Sequence, residues 1–438
     1  MPVGTERSPH TQDVPNDGNR HTWNRDVYLL LAARFVRMTA FGSSSLVLAL
    51  FLSSLDQTPV QVGRFLTLTL VGDFLLSFVL TFTADSLLGR RNTLRLGALS
   101  MLLSGLVFAT ASNVNVLLVA AIFGVISPSG GEIGPFRAVE ESILAGLVDK
   151  QHRPALFGSF IVTGALAASL STWLGGLLNK LVDADSRDAM MWYYRCVFVV
   201  YAVMGLLKLL LSLSLSDRCE VRTRVEPQPA READERDPLL SQQAADPPTA
   251  DTPFSNRRFA LLCTLFAIDS LGSGMASQTL TSWFLSRKFN AELASLGSIL
   301  SAALLVSATS NLFSARIAKR LGLVVTMVVT HLPANIFLAM IPLPSGLGLT
   351  SALIVARAAT SSMDQAPRSA FLSAFVPDHQ RTRVLGLVTT VQTLAQSGGP
   401  SLTGWFAEKG KMGWAFHTAG ALKAGYDLGL LAAFSAVN

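Results

Sequence analysis

Charge is what this chain has least of. Asp, Glu, Lys and Arg make up 15% of its 438 residues, against about 25% in ordinary soluble domains, which excludes a water-soluble globular fold. Cysteine is nearly absent. Cys196, Cys219 and Cys263 are odd in number and lack the paired spacing of metal ligands, so neither a disulfide framework nor a metal site is expected. Histidine is sparse too. His10, His21, His152, His331, His379 and His417 fall mostly in tails and connections, without triad or metal-ligand spacing, which leaves an enzyme without a catalytic constellation and gives no reason to expect a cofactor. The chain also opens without an apolar run: MPVGTERSPHTQDVPNDGNRHTWNRD (1–26) is polar, the composition of a disordered cytosolic tail and not of a cleavable signal peptide.

Apolar length is what the chain has in abundance. Half of the residues are hydrophobic and the mean hydropathy is +0.43. A spanning helix needs about 20 such residues, and windows of that length lie near 27–53, 63–84, 92–111, 116–144, 155–178 and 192–215. Residues 217–257 then turn charged and rich in Pro, Ala and Gln, as a solvated disordered linker does. Six more windows follow, near 259–285, 294–314, 322–342, 348–372, 384–406 and 413–436. The expected fold is an all-α polytopic membrane protein, with twelve transmembrane helices in two pseudo-symmetric six-helix bundles spanning 27–216 and 258–438.

Lysine and arginine set the expected orientation, because they are retained on the cytosolic side. With the amino terminus inside, that side holds Arg90, Arg91, Arg95, Arg153, the linker arginines, Arg316, Lys319, Arg320, Arg381 and Arg383. Both termini and the linker are therefore assigned to the cytosol. The net charge of +6 has the same origin, so it indicates contact with anionic lipid headgroups and not with nucleic acid.

The two halves can be laid over each other. RMTAFG (37–42) matches DSLGSG (269–274), and EIGPFRA from Glu132 matches DQAPRSA from Asp364, both 232 residues apart. Gly89 of LLGRR and Gly322 of RLGLV are 233 apart, and HRPALFG ending at Gly158 matches QRTRVLG ending at Gly386, 228 apart. An internal duplication of a six-helix unit accounts for nearly equal offsets at corresponding helix numbers.

The connection between the second and third windows reads TADSLLGRR. With the six-plus-six layout it resembles the major facilitator superfamily over residues 27–436, and DQAPRSAF is similar to uncharacterised fungal members. In that family the loop reads Gly-x-x-x-Asp-Arg-x-Gly-Arg-Arg. The resemblance implies that Asp85, Gly89, Arg90 and Arg91 form a cytosolic latch that holds an outward-open state. Thr81 and Ser86 depart from the pattern, and an isolated surface ion pair of this kind is worth at most ~1 kcal/mol. The antiporter motif Gly-Pro-x-x-Gly-Gly is retained only as STWLGG (171–176), with GPSLTG (399–404) at the duplicated position, and no sugar-porter signature follows the sixth window.

Charges inside spanning windows cost about 2.5–3.5 kcal/mol each on insertion scales, so they face a cavity or a partner. The deep ones here are Arg34, Arg37, Asp73, Glu132, Arg137, Asp269, Arg357, Asp364, Arg368 and Asp427. The resemblance implies that helices 1, 4, 7 and 10 line a central cavity, which makes Arg34, Arg37, Glu132, Arg137, Asp269, Arg357, Asp364, Gln365 and Arg368 the substrate candidates. Several have structural alternatives. Asp364 and Arg368 have helical ion-pair spacing, with Arg357 seven residues before Asp364. Arg37 and Asp269 could clip the halves together, Arg34 and Arg137 could snorkel to the surface, and Asp73 and Asp427 fit packing or network roles. Glu132 is the expected proton carrier, because Arg137 lies five residues on and about 140° around the helix.

In the linker, ERDPLL resembles an acidic dileucine sorting signal. Glu235, Leu239 and Leu240 would contact a clathrin adaptor, which shifts the expected location from the plasma membrane toward an endosomal, lysosomal or vacuolar membrane. The expected function is a monomeric, proton-coupled carrier of a small solute. The excess of buried arginine favours an anionic or zwitterionic one. A non-transporting receptor or scaffold of the same fold is the alternative class.

Overall fold

A computed structural model of the chain describes residues 23–83, 88–124, 126, 128, 135–149, 152–181, 186–220, 256–375 and 381–434. No β-strand occurs among them. The first half comprises α1 (Arg25–Ser54), α2 (Pro59–Thr83), α3 (Arg90–Thr110), α4 (Val114–Phe123), α5 (Pro135–Leu147), α6 (Arg153–Leu178) and α7 (Arg187–Leu213). The second comprises α8 (Asn256–Met275), α9 (Gln278–Phe289), α10 (Leu293–Leu321), α11 (Leu323–Met340), α12 (Leu347–Ser361), α13 (Gln365–Phe375), α14 (Arg381–Glu408) and α15 (Gly413–Phe434). Eight of these helices are long and apolar enough to cross a bilayer.

The twelve windows map onto these helices with one correction: windows four, seven and ten are each two helices, not one. Lipid offers no hydrogen bonds to a broken helix, so the freed backbone needs partners from its neighbours. Each break has one. Tyr201 donates to the Gly124 carbonyl (3.2 Å), Thr403 to that of Met275 (2.8 Å) and Ser314 to that of Met363 (2.6 Å).

Backbone geometry repeats between the halves. Gly89 at the start of α3 and Gly322 at the start of α11 have φ of 76° and 81°, with ψ of 154° and 167°. A side chain is disfavoured in that region, so glycine sits at the same turn in each half.

The ends of α3 and α11 that carry these turns lie with the linker; this end is called the linker side, and the opposite end the far side. At the far side the halves meet in two equivalent crossings. α6 packs on α10 at Gly176 and Gly297, and α2 on α14 at Gly63 and Gly404, where an added Cβ would lie 2.9–3.0 Å from the opposing Cα. Hydrogen bonds between the halves cluster in the same region: Thr279 donates to the Ser45 carbonyl (2.9 Å), Ser282 to that of Leu46 (2.7 Å), Ser401 to Thr67 Oγ1 (2.8 Å), and Ser169 and Ser301 share a 2.8 Å contact.

The linker side is open. Gly158 lies eighteen residues before Gly176 in α6, and Gly386 eighteen before Gly404 in α14. Eighteen residues are five helical turns, so each pair shares a face. A Cβ at Gly158 or Gly386 meets nothing within 4 Å. Among the described residues the halves therefore touch at the far side, and these two positions of the linker side are free of contact.

The beginning of the linker is ordered, which corrects the disorder expected from residue 217. Glu220 accepts from the backbone amides of Arg90 (2.8 Å) and Arg91 (3.1 Å), Asp217 pairs with the Arg91 side chain, and Asp26 accepts from the Ser216 amide (3.1 Å) and hydroxyl. A carboxylate on the first turn of a helix satisfies orphan amides and complements the dipole. Glu220→Ala should lower stability by about 1 kcal/mol, visible as a lower melting temperature with faster hydrogen exchange confined to the first turn of α3.

Candidate functional site

Each half carries its own buried charge network. In the first half, Arg37 of α1 donates to Glu140 of α5 at 2.6 Å and Lys208 of α7 reaches the same carboxylate at 3.2 Å, all three almost fully buried. One turn before Arg37, Arg34 lies 3.7 Å over the Phe160 ring of α6. In the second half, Asp269 of α8 accepts from Arg368 of α13 (3.0 Å) and Lys423 of α15 (2.6 Å).

The two triads come from equivalent parts of the halves, each with two cations and one carboxylate, but the first two members exchange sign. The first apolar window of each half supplies Arg37 or Asp269, the fourth supplies Glu140 or Arg368, and the sixth supplies a lysine, Lys208 or Lys423. Burying an ion is costly unless a partner repays it. Inverting the pair while keeping the lysine gives each half internal compensation.

The second network extends further. Arg368 also pairs with Asp364, which is buried at the break between α12 and α13. Its guanidinium lies 5.3 Å from the Phe266 ring and 5.4 Å from that of Tyr426. On α11, His331 Nδ1 is 2.8 Å from Asp427 Oδ1, Asn335 donates to Asp427 Oδ2 at 2.7 Å, and His331 Nε2 is 3.8 Å from Asp269 Oδ1. Arg357 of α12 stands apart. It is half-buried, forms no ion pair or side-chain hydrogen bond among the described residues, and its buried Nε has no partner.

Buried charge beside broken helices, in two duplicated bundles that touch at one end, is the construction of a solute carrier. The sequence profile of the Major Facilitator Superfamily matches residues 30–355 and 262–435. The chain belongs to the Major Facilitator Superfamily. An uncharacterized membrane protein of Saccharomyces cerevisiae is 33% identical over 428 residues, 95% of each chain. Among solved structures, a bacterial homologue of the iron transporter ferroportin in an inward-facing state superposes with a TM-score of 0.70 at 13% identity, covering 94% of this chain and 99% of that one. The inward-open xylose transporter XylE from E. coli gives 0.67 at 15%, covering 94% and 96%. As a member of this superfamily the chain is a multi-pass membrane transporter of small solutes and not an enzyme.

Within this superfamily fold the sequence-derived candidates separate. Asp269, Asp364 and Arg368 come together in one network, and Arg357 makes no ion pair with it among the described residues. Arg37 and Asp269 do not clip the halves together, because each is held within its own half. Arg34 does not snorkel: it is buried against Phe160. Arg137 forms a partly exposed pair with Glu141 at 2.7 Å. Gln365 is exposed at the start of α13. Asp73 is buried in α2 with Oδ1 lacking a hydrogen-bond partner. Arg90 and Arg91 engage the linker at Asp217 and Glu220 and Gly89 forms the turn before them, while Asp85, Glu132, Glu235, Leu239 and Leu240 lie outside the described residues.

Glu140, Lys208, Lys423 and His331 were not legible as site residues. Lys208 stands toward the end of window six, where snorkelling is the usual fate, Glu140 adjoins the surface acid Glu141, and Lys423 lies mid-window with no charged residue of opposite sign within three positions. A signal did exist. Arg37 and Asp269 at duplicated positions each require a counter-charge, and each half offers only a few candidates.

Proposed function

We propose that this transporter moves a small anionic or zwitterionic solute by alternating access, coupled to protons, with the linker side in the cytosol. In that orientation the open linker side is an inward-facing state. The observation that carries the proposal is Arg357. The other cations of the second network already serve Asp269 and Asp364, whereas Arg357 has a guanidinium to offer. A guanidinium matches carboxylate and phosphate geometry with two parallel hydrogen bonds.

Arg357→Gln should fold normally and lose the solute. The test is a thermal-shift screen of the purified protein against carboxylates, phosphates, amino acids, sugars and amines, since ligands that bind the native state stabilise it. The proposal expects an anion or zwitterion to raise the melting temperature of wild type and not of Arg357→Gln. Stabilisation confined to sugars or amines, or equal in both proteins, contradicts it.

A further inference from the structure

The contacting charges of the second network do not balance. Asp269, Asp364 and Asp427 supply three negative charges, while Arg368 and Lys423 supply two positive ones. Arg357 supplies a further positive charge outside these contacts, on α12 seven residues before Asp364. His331 occupies the gap, with Nδ1 on Asp427 and Nε2 facing Asp269. The ring is buried; Asn335 donates to Asp427 Oδ2 (2.7 Å), and its Nδ2 lies 3.0 Å from His331 Nδ1. An ionised Asp427 accepts the Nδ1 proton, which leaves the Nε2 lone pair directed at a second carboxylate. That arrangement becomes attractive when Nε2 carries a proton.

We propose that His331 is the group that binds the transported proton, and that its charge is coupled to the solute through Arg357. In the empty carrier Arg357 offsets the surplus negative charge of the network. An anionic solute claims Arg357 for itself, the surplus returns, and a proton on His331 Nε2 cancels it. One proton is taken up with one negative charge of solute. The neighbours facing His331 are Asp269 of α8, Asp427 and Tyr426 of α15, and Asn335 on its own helix. Lys423 and Arg368 act on it through Asp269.

This rests on the proton-coupled anion reading, yet proton binding can be tested without a solute. Potentiometric titration of the purified full-length protein between pH 8 and 5 should show His331→Gln binding one proton fewer than wild type, and Asp427→Asn altering that step. A histidine kept neutral for packing would leave the wild-type and His331→Gln curves superimposed, which overturns the proposal. Should His331→Gln fail to fold, Asp427→Asn decides, and an unmoved curve overturns the proposal equally. Vesicle transport separates this assignment from its premise. Wild-type accumulation under a pH gradient that persists in His331→Gln removes His331 alone, whereas no gradient-driven accumulation of any anion by wild type removes the proton-coupled reading itself. The expected result is loss of accumulation in His331→Gln with solute exchange retained.

Discussion

Gly176→Leu and Gly404→Leu are expected to open the far side and draw the linker side together. At both crossings an opposing Cα would stand 3.0 Å from the new Cβ, too close for backbones in rigid contact to absorb. Overpacking of this kind costs about 1–3 kcal/mol. In the proposed alternating-access cycle the penalty falls on the far-closed state alone, and such a differential moves a two-state equilibrium by roughly 5–150-fold. Spin labels at positions 158 and 386, one in each half on the linker side, report the change in a background without the native cysteines. Their separation should shorten in either variant, and an unchanged distance distribution in folded protein would show that the crossings do not control opening.

The second large effect belongs to Glu140. Its carboxylate serves Arg37 and Lys208 together in a nearly water-free site, and removing one member of a buried ion network costs about 3–5 kcal/mol. Against a total stability of about 5–15 kcal/mol, Glu140→Ala should lower the melting temperature severely. Arg137→Ala breaks only a partly exposed pair one turn away, worth about 0.5 kcal/mol at most. Similar melting temperatures for the two variants would refute the central place given to Glu140.

The architecture was legible because its signals are long and repeated. Twelve apolar windows, a polar linker and the equal spacing of Gly89 with Gly322 follow from chain composition and turn geometry. Helix breaks were harder to anticipate. The acid-x-x-Pro motifs at Glu132 and Asp364 fall where windows four and ten divide, but an apolar run with a proline at its end reads equally well as one helix. Pairing was least legible. Arg37 and Asp269 have opposite charge at duplicated positions, which suggested a link between halves. The deciding facts were that helix four of each half returns the complementary charge and that helix six adds a lysine. Neither follows from spacing along the chain, because both depend on which faces meet. His331 was overlooked because an imidazole in an apolar helix carries no periodic signal. Its role depends on Asp427, almost a hundred residues away.

The central claim, that this transporter carries an anionic or zwitterionic solute through Arg357, is tested most directly by uptake without a chosen substrate. Vesicles containing wild type, vesicles containing Arg357→Gln and empty vesicles are incubated with a metabolite extract under an inwardly directed proton gradient, and their contents are compared by mass spectrometry. The account predicts at least one carboxylate, phosphate or zwitterion enriched by wild type and by neither control. Enrichment of only neutral or cationic solutes, or equal enrichment by Arg357→Gln, would contradict it.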